Sequence, residues 1–136
     1  MGLFDIFNVA GTGVGVHRVW MDAISDNIAN INTVRPTSEA AFQARYVVAT
    51  PLDPTPGGEG GVQVAGIELG DPVGRLTYDP QNPLADAQGM VRRPDIDLGD
   101  QMTDLLMAQR GYQANLAVVQ RATDAYQAAL QLGRNL

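Results

Sequence analysis

The chain has no cysteine and no lysine, one histidine, one tryptophan, and no long uninterrupted apolar run. Without cysteine there can be no disulfide, no thiolate nucleophile and no thiolate metal site, and either redox compartment is open to it. With His17 as the lone imidazole, neither a histidine metal cluster nor a Ser-His-Asp triad can be assembled within one chain. The lack of about 18 consecutive apolar residues removes the transmembrane helix, so no membrane insertion is expected. Positive charge is scarce: nine Arg against fifteen Asp plus Glu leave a net charge of −6 and a pI near 4.4. Such a surface repels nucleic acid and anionic lipid, and neither is an expected partner. Met1 to Asp5 carries no basic residue, as a secretory signal would need, and Ile6 breaks the myristoylation pattern. Any passage out of the cytoplasm is expected to proceed without a cleaved signal peptide.

Proline is confined as well. All eight lie between positions 36 and 94, which leaves both ends free to form long helices. From Asp97 to Arg134 two rows of seven-residue spacing interleave, Leu98, Leu105, Tyr112, Val119, Tyr126, Gly133 and Met102, Gln109, Leu116, Thr123, Leu130. This is the three-and-four stepping of a coiled-coil seam. At roughly 1.5 Å per residue the helix would be on the order of 57 Å long, too long for the core of a small globule. Asp97 suits an N-cap, and Gly133 with Arg134 suits a C-terminus.

Near the start, Val9, Gly13, Val16, Trp20, Ile24, Ile28 and Ile31 follow the same stepping and predict a helix over 9–31, the natural partner of the first. Gly11, Gly13 and Gly15 each cost about 1 kcal/mol relative to Ala inside a helix, so the first 15 residues are expected to order only when something packs on them. Read as a phosphate cradle, Gly11-Thr12-Gly13-Val14-Gly15 fails, because a dinucleotide fingerprint wants glycine where Val16 stands and a βαβ unit around it. His17 reads as a partly exposed helix residue and Trp20 as a packing anchor.

The helix is expected to stop in Asn27 to Thr33, before Pro36. The middle third reads as short strands, Phe42 to Ala49, Val62 to Leu69 and Arg75 to Tyr78, with Pro51 to Gly61 as a long hairpin loop. Asp79, Asp86, Asp95, Asp97 and Asp100 could in principle hold calcium or pair as acid and base. Their spacing fits no EF-hand, and Asp beside Pro or Asn is ordinary turn chemistry. No catalytic residue, cofactor or metal is therefore expected. The fold class is mostly α with a small β insertion: an elongated subunit whose long terminal helices pair as a coiled coil. The divisions fall at 1–33, 34–94 and 95–136.

The run Ile24-Ser25-Asp26-Asn27-Ile28-Ala29-Asn30-Ile31-Asn32-Thr33 resembles the Asn-rich signature of bacterial flagellar rod, hook and hook-associated proteins. Tyr78-Asp79-Pro80 to Asp86, Gly89-Met90-Val91, Pro94-Asp95-Ile96-Asp97, Met102 and Ala108 to Asn115 are similar to the short proximal-rod members of that family. The resemblance implies a structural subunit of the basal-body rod, with an inner coiled-coil domain around an export channel and a small outer β domain. It implies export by the flagellar type III apparatus, and partners that are other rod proteins and copies of this chain. The rows then become assembly seams: Val16, Trp20, Ile24 and Ile28 on the first helix, and Leu98, Met102, Leu105, Tyr112, Leu116, Val119, Tyr126 and Leu130 on the second. Asn27, Asn30, Asn32 and Thr33 carry the family signature. A soluble coiled-coil adaptor dimerising through 97–134 is the alternative, and an enzyme using the Asp-rich turns or the glycine loop is a more distant one.

Overall fold

The computed structural model describes residues 2–52 and 60–134. Two long helices bracket four short strands in the order α1 (Leu3–Asn30), β1 (Arg45–Pro51), β2 (Val62–Leu69), β3 (Arg75–Tyr78), β4 (Met90–Arg93) and α2 (Leu98–Arg134). The chain is therefore mostly helical with a small β part.

Helix α1 starts six residues before the expected position. Gly2 serves as N-cap, and the Asp5 carboxylate reaches back to accept from the Gly2 N–H at the positive end of the helix dipole. The three glycines do not interrupt it, because α2 and both strands of the first hairpin pack along this helix. At the far end the Asn30 amide donates to the Asp26 carbonyl (2.9 Å) and accepts from the Thr33 hydroxyl (3.1 Å), closing the last turn.

The two helices lie antiparallel. Gly13 faces Asn115, His17 faces Gly111, Asn27 bonds Gln101 across the gap (2.9 Å), and the rings of Phe4 and Tyr126 meet edge-on at 6.1 Å. As one number in each pair rises the other falls, which fixes the direction. Helix α2 begins at Leu98, with Asp97 capping it through a bond from the Asp100 N–H (2.9 Å).

Strands β1 and β2 form an antiparallel hairpin from Arg45↔Leu69 to Pro51↔Val62, with a bulge between Val48 and Ala49. Strand β1 thus begins three residues later than the pattern suggests and ends at Pro51, where a missing N–H matters least. Most of the expected Pro51–Gly61 loop lies outside the described residues. Strand β3 pairs with β4, an element the apolar pattern did not reveal, because Met90-Val91-Arg92-Arg93 has only one fully buried side chain. Val91, with Ala41, Ala44, Pro94 and Ile96, forms the small β-side core.

Candidate assembly surface

The row of α2 buried against α1 is not either of the apolar rows. It consists of Gln101, Ala108 and Ala122, all buried, with half-buried Asn115 between them, and its spacing is seven throughout. Small side chains are what a close helix approach demands. Asn115 sits on Gly13, where an added Cβ would meet its Oδ1 at 2.6 Å, and Gly111 gives way to the His17 ring. His17 is held by a 2.7 Å bond from Nδ1–H, in that tautomer, to the Gly13 carbonyl, with Trp20 at 6.1 Å between ring centroids.

The apolar rows are consequently displaced to the sides. On α1, Ile24 is buried, while Val16, Trp20 and Ile28 are half-buried. On α2, Leu105, Tyr112 and Val119 are half-buried beside the contact row, whereas Leu98, Met102 and Leu130 are 50% exposed, Tyr126 41% and Leu116 37%. At about 100° per residue, Leu98, Met102, exposed Leu106 and Leu116 lie to one side of the contact row. Exposed Met107, Val118 and Leu132 lie to the other. Helix α2 therefore presents two apolar flanks to its surroundings, more than a self-contained helix pair requires. The signal for the contact row was legible as Gln-Ala-Asn-Ala at sevenfold spacing, but weighting large apolar residues passes over it.

Of the signature residues, Asn27 is 1% exposed and Asn32 is exposed, with Asn30 and Thr33 between these extremes. The Asn27 amide accepts from the Arg45 N–H (2.8 Å) and donates to the Arg45 carbonyl (3.0 Å) and to Gln101 Oε1. Every hydrogen-bonding capacity but one is used, which is how a buried amide avoids its desolvation penalty.

Four of the five candidate carboxylates are occupied structurally. Asp95 pairs with Arg75 (3.3 Å), Asp97 caps α2, and Asp79 accepts from Asn82 (3.1 Å). Asp86 accepts from the Met90 and Gln88 N–H groups (both 2.9 Å) and from Thr37 Oγ1 (3.0 Å). Its pKa is lowered, chiefly by the Met90 N–H, against an opposing contribution from desolvation. A cleft of about 440 Å³ is lined by Tyr46, Asp95, Asp97, Asp100, Gln101, Thr103 and Asp104. Among the described residues no three His, Cys, Asp or Glu are grouped to hold a metal ion, and no helix is long and apolar enough to cross a membrane.

Comparison with known proteins places these features in a family. Residues 7–37 match the family described as flagella basal body rod protein, and residues 87–132 match the flagellar basal body rod FlgEFG protein C-terminal family. The flagellar basal-body rod protein FlgC of Yersinia enterocolitica is 36% identical over 136 residues, covering 98% of this chain and all of the relative. Its counterpart in Salmonella typhimurium is 33% identical over 135 residues, with the same coverage of each chain. That of Bacillus subtilis is 31% identical over 150 residues, again covering 98% of this chain and all of the relative. The two matched segments coincide with α1 and its closing turn and with β4 and α2, so that antiparallel helix pair is the framework of a chain that belongs to the FlgC family of flagellar basal-body rod proteins.

Proposed function

We propose that the helix pair is the inner, coiled-coil part of an elongated rod subunit, packed side by side with other rod proteins and copies of itself around the flagellar export channel. As a member of a rod-protein family the chain is a structural subunit of the flagellar basal body and not an enzyme. The observation that carries the finer reading is the pair of exposed apolar flanks on α2. One subunit fully buries only Gln101, Ala108 and Ala122 on α2, so Leu98, Met102, Leu116 and Leu130 would gain further burial from neighbours. Burial of apolar surface contributes about 25 cal/mol per Å², and unlike faces meeting head to tail build an open helical array in place of a closed pair.

In such an array torque passes through interdigitated side chains, with the β hairpins facing outward. The subunit would reach the periplasmic space through the flagellar type III apparatus, uncleaved, and would engage neither nucleic acid nor the bilayer. Complementation tests the reading: a strain lacking the gene should be non-motile and lack rods, and the wild-type chain should restore both. Normal rods and swimming in the deletion strain would remove the proposal. Sedimentation of the purified chain separates it from a coiled-coil adaptor, which would be a stable dimer at every concentration.

A further inference from the structure

Among the described residues, polar side chains of α1 fasten the first hairpin at two separated points. At one end Asn27 treats Arg45 as a neighbouring strand would, giving a donor to its carbonyl and an acceptor to its N–H, while the same amide nitrogen bonds Gln101 on α2. The Arg45 guanidinium adds an ion pair to Asp26, the residue just before Asn27 (2.5 Å). At the other end Thr12 Oγ1 accepts from the Val62 N–H (3.1 Å) and donates to the Val9 carbonyl (2.7 Å), which aims the hydroxyl. The two points stand about 22 Å apart along α1, at roughly 1.5 Å per residue, and they grip the first residue of β1 and the first residue of β2.

From this geometry we infer that Asn27 and Thr12 are positioning residues forming a two-point lock that holds the β1–β2 hairpin in one orientation on the helix pair, an orientation on which the working rod depends. The second clause rests on the rod reading; the first does not. A single attachment would leave the hairpin free to swing, and apolar contact alone would let it slide, because burial is non-directional. Two directional attachments at separated points remove both freedoms. Asn27 carries the greater share, since it joins three elements and is buried: its loss leaves the buried Gln101 amide without this partner where water has little access. Among the two, only the Asn27 tie also reads the helix–helix register, through Gln101.

The absence of native cysteine makes the test direct. Spin labels on exposed Glu68→Cys in β2 and Gln113→Cys in α2 of the full chain report hairpin orientation as a distance distribution. The otherwise unchanged chain should give one narrow peak. Asn27→Ala and Thr12→Val should each broaden it, and the double variant should at least double its width while the helical circular dichroism persists. Should Asn27→Ala lose its helical signal, Asn27→Asp, which keeps an acceptor for the Arg45 N–H, and Thr12→Val carry the measurement. Unchanged width in all folded variants overturns the lock. In the deletion strain the unlabelled double variant should lower swimming speed at least twofold relative to wild-type complementation. Wild-type speed despite a broadened peak overturns the dependence of the rod on the lock. Swimming by the deletion strain itself would instead defeat the rod reading and leave the lock standing.

Discussion

The His17 imidazole rests against Gly111 so closely that no side chain could stand at that position without displacing the ring. The ring is not free to leave, because its Nδ1 is bonded to the Gly13 carbonyl and its other side meets Trp20. Gly111→Ala should therefore destabilise the helix pair by about 1–3 kcal/mol despite the better helix propensity of alanine, as overpacking does in other tight contacts. Adding His17→Ala should recover much of the loss, which a double-mutant cycle by thermal denaturation would read. A stabilised Gly111→Ala single variant would contradict the close approach.

Gly11 and Gly15 stand in the opposite situation. A Cβ at either meets nothing within 4 Å, and both are exposed on α1. Gly11→Ala and Gly15→Ala should each stabilise the isolated chain by about 0.4–1 kcal/mol through lower unfolded-state entropy and better helix propensity. The same variants tested for swimming show whether a neighbour in the rod occupies that face. Lost motility in a more stable subunit would mean that it does.

Asp86 gives the β3–β4 connection a defined response to acid. Its folded pKa is depressed, mainly by the Met90 N–H with help from Thr37 and Gln88. A depressed carboxylate contributes stability that is present above its ordinary, unfolded value and is lost as pH falls through the lower folded value. Amide exchange at Gln88 and Met90 should therefore be slow at neutral pH, after correction for intrinsic rates, and quicken as pH drops below the ordinary carboxylate range near 4. In Asp86→Asn that acid-side change should vanish. Persistence of the same pH dependence in the variant would assign it to another group.

The helices were readable in the sequence because both ends lack proline and carry sustained three-and-four stepping, a signal with few alternatives. Val62–Leu69 and Arg75–Tyr78 emerged with their observed bounds, since glycines and Asp-Pro pairs punctuate them. What escaped was the face of contact. Periodicity reports that α2 has apolar rows, but not which neighbour covers them, and here many of the largest residues stay exposed while Gln101, Ala108 and Ala122 make the contact. The role of Asn27 escaped for a related reason: its partners Arg45 and Gln101 lie 18 and 74 positions away, beyond any local pattern. The residue types near Asn27 suggested a turn, which Asn30 and Thr33 supply instead.

That division between inward and outward rows predicts two distinct failures from the same kind of substitution. Ala108 is fully buried at the centre of the α1–α2 contact. Ala108→Asp would place an unpaired carboxylate there, at a cost of about 3 kcal/mol or more, a large part of a small domain's stability. Its helical signal should melt early, and the cell should contain little of the protein. Leu116→Asp, one flank over and 37% exposed, should change the stability of the isolated chain by under about 1 kcal/mol. It should nevertheless stop swimming, because the carboxylate would be desolvated only when a neighbour packs on Leu98, Met102 and Leu116. Circular dichroism on both purified variants and motility in the complemented deletion strain separate the two outcomes. If Leu116→Asp swims normally, that flank is open to solvent in the finished rod, and the outward leucines must be explained without a neighbour.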